Sequence, residues 1–114
     1  MSEYMHGYID ALCYMVQRGK PAAVVSLQNR HVDEAIEVIH TSHQLKTLVE
    51  ISCEGWVELW IFRYNHILDV IQSLPQVPSN NYEHWLLGKL FGYGEEAIAE
   101  FINSNSNTHA KKLY

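Results

Sequence analysis

Apolar residues recur at three- and four-residue intervals over most of the chain, but within residues 45–64 the interval falls to two. This stretch, LKTLVEISCEGWVELWIFRY, reads as a β-hairpin, because two runs rich in β-branched and aromatic residues flank a glycine. Loop length sets its register. A two-residue loop at Glu54-Gly55 would put Cys53 opposite Trp56 and Ile51 opposite Glu58, mixing polar and apolar groups on both faces. A three-residue loop, Glu54-Gly55-Trp56, pairs Cys53 with Val57, Ile51 with Leu59 and Val49 with Ile61, and collects one aliphatic face. The odd-length loop is therefore expected, although glycine does not occupy the last loop position that such loops prefer. The second face then carries Leu48, Glu50, Ser52, Glu58, Trp60, Phe62 and Tyr64, and either C-terminal helices cover its aromatic end and water meets the glutamates, or it stays open as a partner platform.

Elsewhere the pattern is helical. Met5, Tyr8, Ile9, Leu12, Met15 and Val16 form one apolar stripe over residues 3–18, stopped by Gly19-Lys20-Pro21 with the glycine as C-cap. Residues 22–27 admit two readings: Pro21 can open a helix, but Val24-Val25 and the short length favour a buried strand. Val32, Ala35, Ile36 and Ile39 mark a second helix running to about His43, with Asp33, Glu34 and Glu37 in its first turns. After the hairpin, Asn65 can cap a short helix ended by Pro75. Residues 76–81, QVPSNN, are a loop. Asn80 or Asn81 then caps a helix beginning near Tyr82, with Glu83 spaced as in a capping box. Gly92-Tyr93-Gly94 breaks that helix, and Glu95-Glu96 open a last one carrying Ile98, Phe101 and Ile102.

The expected fold is α+β: a small mixed three-stranded sheet (β-α-β-β) flanked by helices, in the order α-β-α-β-β-α-α-α. A strand–helix–strand crossover precedes the hairpin and should be right-handed. Residues 1–102 are expected to form one globular domain and residues 103–114, NSNSNTHAKKLY, a flexible polar tail.

Composition narrows the functional classes. The chain has 114 residues, 47% hydrophobic and 18% charged, which is enough for a core without metal or disulfide support. A formal charge of −5 opposes broad binding to a phosphate backbone. Two cysteines, Cys13 and Cys53, sit in apolar patterns and read as buried reduced thiols. Glu3 and Asp10 interrupt any leader-like segment, and no run approaches 18 apolar residues, so a cytoplasmic protein without membrane contact is expected.

Candidate chemistry is sparse. Glu37-Val38-Ile39-His40 with His43 is the best metal-like spacing, yet a carboxylate-bridged di-metal site needs the Glu-x-x-His pair twice. Capping is the better reading of these groups, and no metal is expected. Cysteine in apolar surroundings is inert. With no nucleophile elbow and no phosphate-binding loop, no catalytic residue or cofactor is assigned, and Gly88-x-x-x-Gly92 reads as close helix packing followed by a C-cap. Residues 82–102 have a helix-turn-helix outline, but Glu95, Glu96 and Glu100 would repel a duplex, so no DNA binding is expected through this pair.

What remains is surface. Trp56, Glu58, Trp60 and Phe62 on the hairpin, with Tyr93 at the glycine-flanked turn, are the expected binding residues of a non-catalytic module that engages a protein partner or a second copy of itself. In type the chain resembles the small proteins of phages and mobile elements that block a host or defence protein by surface binding. The alternative is a small enzyme or ligand-binding domain with a pocket between sheet and C-terminal helices, where His84, His66 and Tyr93 would meet.

Overall fold

The structure of the chain, a computed structural model, describes residues 1–75 and 77–113, and their side chains as far as residue 104. It is an α+β fold in the order α-β-α-β-β-α-α-α, and it divides into two compact units, Met1–Gln72 and Ser73–Tyr114.

The first unit carries the sheet. Helix α1 (Glu3–Gln17) begins where the Ser2 hydroxyl accepts the Met5 N–H at 3.1 Å. It ends in a Schellman arrangement: the Gly19 N–H donates to the Val16 carbonyl and the Lys20 N–H to that of Met15. Residues 22–28 are a strand, β1 (Ala22–Gln28), followed by a short 3-10 turn (Asn29–His31) and α2 (Val32–His43). Gln44, in the left-handed conformation at φ 57°, turns the chain into β2 (Lys46–Cys53), and β3 (Trp56–Phe62) completes the hairpin. Helix α3 (Asn65–Ser73) starts at Asn65, whose side-chain oxygen accepts from Lys46 Nζ.

The strand order is β1-β3-β2, and both neighbours run antiparallel to β3. The two strands joined by the α2 crossover are therefore parallel to each other, but β3 lies between them. Its sequence, WVELWIF, is apolar on both faces, which is what a central strand requires.

The hairpin uses the two-residue turn Glu54-Gly55, with Gly55 at φ 81°, and not the longer loop expected. Cys53 pairs with Trp56, Ile51 with Val57 and Val49 with Leu59, so Ser52 is left over as a β-bulge. The bulge restores what the short turn would have spoiled. Ile51 moves from opposite Glu58 to opposite Val57, and one face stays aliphatic. Before the bulge every pair lies two residues from its expected place, which leaves the facing of those side chains unchanged, whereas Cys53 beyond it moves by one, from opposite Val57 to opposite Trp56.

That face joins Ala23, Val25, Leu27, Val57, Leu59 and Ile61 to Ile9, Leu12, Cys13 and Val16 of α1 and to Ala35 and Ile39 of α2 in one buried cluster. Each large aliphatic side chain fully withdrawn from water contributes about 1.5–3 kcal/mol. Cover fails along β2, however: Leu45 is buried, Thr47 half-buried, and Val49 and Ile51 are exposed, Ile51 at 82%. Ile51 is thus on the expected face but outside the core, and Cys53, expected to be buried, is exposed. The reason is the position of β2 as an outer strand: helix α2 meets it at its start, where His40 Nε2 and the Thr47 hydroxyl are 3.1 Å apart, and among the described residues no strand pairs with its far side.

The second unit contains α4 (Asn81–Leu90) and α5 (Glu95–Leu113). Asn80 caps α4, its side-chain oxygen accepting the Glu83 N–H at 2.9 Å, while the Glu83 carboxylate reaches back to the N–H and hydroxyl of Ser79. Gly92, at φ 81°, ends α4 in a second Schellman arrangement: Tyr93 N–H to the Gly88 carbonyl, and Gly92 N–H to that of Lys89. Gly88 packs against Ile98 of α5. The α5 backbone is helical to Leu113, where the polar run from Asn103 shows no period. Most of the expected tail, with Gln76 of the expected loop, lies outside the residues described in full.

Candidate functional site

Alternation along β3 puts Trp56, Glu58, Trp60 and Phe62 on the face turned away from α1 and α2. Their fates differ. Trp60 lies between Val24 and Leu48, and Phe62 between Ala22 and Lys46. They are 7% and 2% exposed, so the aromatic platform expected across them is not on the surface. Burial is the ordinary fate of large apolar side chains on a central strand, and it is the competing expectation for this end of the face. Trp56, at the hairpin turn, is 42% exposed, and Glu58 is half-buried.

The turn end of the sheet is therefore the open part of the hairpin. It is held in place by β1: the Asn29 N–H donates to the Gly55 carbonyl at 3.0 Å, and Gln28 pairs with Trp56. Arg30 Nε donates to the Gln28 side chain at 2.8 Å. Trp56 forms one wall of an open cavity of about 410 Å³ that Met5, Leu27, Arg30 and His31 also line. His31 is held below the usual imidazole range, first by loss of solvent and then by the Met1 amine and Arg30.

Glu50, Glu58 and Ser26 form a row across β2, β3 and β1, with the two carboxylates directly opposite. Like charges in that relationship repel. Among the described residues neither has an ion-pair partner. Glu54 adds a third carboxylate at the turn. Ile51, Cys53 and Trp56 provide exposed or half-exposed apolar surface at the same end.

Tyr93 is 59% exposed in the second unit. With His84, Leu87, Phe91, Ile98 and Phe101 it lines an apolar cleft of about 330 Å³ along α4 and α5, and His84 meets Phe101 edge-on at 5.4 Å between ring centroids. His66 belongs to the first unit, where it stacks on Tyr64. Glu95 ties the helix pair together by accepting from Trp85 Nε1 and Lys89 Nζ, both at 3.0 Å. These bonds, that from Trp85 foremost, hold its carboxyl below the usual range.

The other chemistry-bearing groups are spoken for separately. His40 bonds to Thr47 and His43 Nε2 to Asp10 at 2.7 Å, so the metal-like spacing on α2 joins elements of the fold. Among the described residues no three of His, Cys, Asp and Glu come together as a metal site. Burial, reinforced by Asp10, pushes the Cys13 thiol up to about 12, which leaves it protonated and inert. No helix among the described residues is long and apolar enough to cross a membrane.

Sequence reasoning missed Ile51, Cys53 and the Glu50–Glu58 pairing. Glycine at the second place of a two-residue turn was the available signal. Compared with protein-family models and with curated proteins, the chain matches none.

Proposed function

We propose that this chain is a non-catalytic binding module that engages a protein partner through the turn end of its hairpin, with Trp56 and Glu58 at the centre of contact. The observation that carries the reading is the half-exposed Trp56, next to the Gly55–Asn29 backbone bond and at the end of the sheet that also carries Glu50, Glu54 and Glu58. A large aromatic on a strand paired on both sides has little backbone order to lose on binding. The acidic rim favours a partner with basic residues around its own apolar patch. One form such a module takes is a regulatory inhibitor, encoded by a phage or mobile element and directed at a host or defence protein.

The test is retention of partners from host extract on immobilised wild-type chain and on the double variant Trp56→Ala with Glu58→Lys. The variant should keep its far-ultraviolet circular dichroism and lose the retained protein. Equal retention by a folded variant would remove the turn end from consideration. A second reading, a ligand-binding domain, draws on the α4–α5 cleft lined by His84 and Tyr93. Small apolar ligands should then raise the melting temperature, and His84→Ala should weaken that effect.

A further inference from the structure

The open edge of β2 is a second surface, independent of the turn end. Among the described residues its only backbone pairing is to β3, so the groups along its outer side are free to accept another strand. Unprotected edges invite pairing, and natural ones are blunted by bulges, prolines or charges. Here the bulge sits at Ser52, and the stretch before it, residues 46–50, is regular and bears Val49 exposed and Leu48 half-buried.

The charges in that stretch are arranged symmetrically. Lys46 and Glu50 stand two residues on either side of Leu48, and alternation puts all three on the same face of the sheet. When two antiparallel strands pair, directly opposite residues point to the same side. Two copies of β2 meeting antiparallel with Leu48 opposite Leu48 therefore bring each Lys46 opposite the other copy's Glu50. On the other face each Val49 meets a Thr47. A pairing centred on Glu50 would oppose two carboxylates, and one centred on Val49 would set Glu50 against Leu48, so the Leu48 register alone satisfies both charges. It also brings a cation beside the Glu50–Glu58 pair, which has no ion-pair partner among the described residues of its own chain. Lys46 already donates to Asn65, and an ammonium has further protons to give.

We infer that the chain forms a twofold-symmetric dimer by antiparallel pairing of β2 with β2 of a second copy, centred on Leu48, giving a continuous six-stranded sheet. The interface is isologous, so each Lys46–Glu50 contact occurs twice. The bulge at Ser52 ends the pairing and leaves Ile51 and Trp56 outside it. The two surfaces fail independently, since dimerisation is read on the pure chain with no partner present.

Sedimentation equilibrium of the wild type should give twice the monomer mass. Lys46→Glu and Glu50→Lys, each alone, set like charges opposite one another and should weaken the dimer at least about tenfold. The double variant carrying both changes should recover it, and so should an equimolar mixture of the two single variants. Circular dichroism at concentrations where all are monomeric checks that each is folded. Amide hydrogens in residues 46–50 of the wild type should gain protection as concentration rises. A wild type that stays monomeric at millimolar concentration overturns the inference. So does a dimer that survives both single changes, or one that neither the double variant nor the mixture restores.

Discussion

A methyl group placed on Gly88 would lie 2.8 Å from Cγ1 of Ile98, closer than carbon atoms approach without displacement. Helices α4 and α5 touch at that point, and Ile98 is buried. Gly88→Ala should therefore destabilise the helix pair by about 1–3 kcal/mol, despite the better helix propensity of alanine. In an Ile98→Ala background the space is free, and the same change should become neutral or stabilising. Urea denaturation of the four proteins of this cycle measures the coupling.

The exposed and the buried positions of the aliphatic face should answer differently to mutation. Ile51→Asp changes a side chain that already meets water and should shift stability by no more than about 0.5 kcal/mol. Leu59→Ala empties a site with no exposure and should cost about 2–5 kcal/mol. Thermal melts of both variants at a concentration that favours monomer provide the comparison.

Deleting Ser52 should leave the fold intact. The pairs Ile51–Val57 and Cys53–Trp56 then become consecutive, and nothing upstream changes register. Removal of the bulge flattens the end of an open edge, so self-association should increase. Light scattering beside circular dichroism separates the two effects. A loss of fold on deletion would show that the bulge holds the register.

Acid should loosen the second unit through Glu83 and Glu95. Both carboxyls are held below their ordinary value of 4.5, Glu83 chiefly by the Ser79 N–H and Glu95 chiefly by Trp85. A depressed folded pKa stabilises above the unfolded value, and that stability is lost as pH falls from about 4.5 through the folded value. Trp85→Phe removes the main donor to Glu95 and should raise its pKa, read from carboxyl carbon shifts against pH. An unchanged Glu95 titration would mean that Lys89 alone sets it.

The two thiols should separate in a native labelling experiment. Cys53 is exposed and should react with a disulfide reagent such as dithionitrobenzoate in the folded chain, whereas buried Cys13, pushed up to about 12, should react only after denaturant is added. Two thiols released at once from folded protein would contradict the placement of Cys13.

Helix ends were the most legible part of the sequence, because their signals are local. Gly19, Asn80 and Gly92 each do what their types dictate, and among the described residues only Gln44 departs by turning left-handed without being glycine. Facing was legible as well, since Val57, Leu59 and Ile61 alternate with Glu58 and Trp60. Register was not: a shift of two residues returns every side chain to the same face, so the pattern cannot distinguish Ile51 opposite Val57 from Ile51 opposite Leu59. Strand order escaped for a related reason. Alternation shows which side of a strand is apolar and says little of its neighbours, and so Trp60 and Phe62 were expected in the open while Ile51 was expected in the core.

The last strand of the chain is the middle strand of the sheet, and this orders the folding of the first unit. As the chain is made, α1, β1 and α2 emerge with no strand to pair with, because β1 and β2 both need β3. The hairpin closes first, its two-residue turn requiring almost no loop to be ordered. Strand β1 must then find the far side of β3 across the whole length of α2 and β2, a closure whose entropy grows slowly with length. Until residue 62 is free of the ribosome, the backbone groups of β1 have no strand to pair with, and it is there that a chaperone has its opportunity.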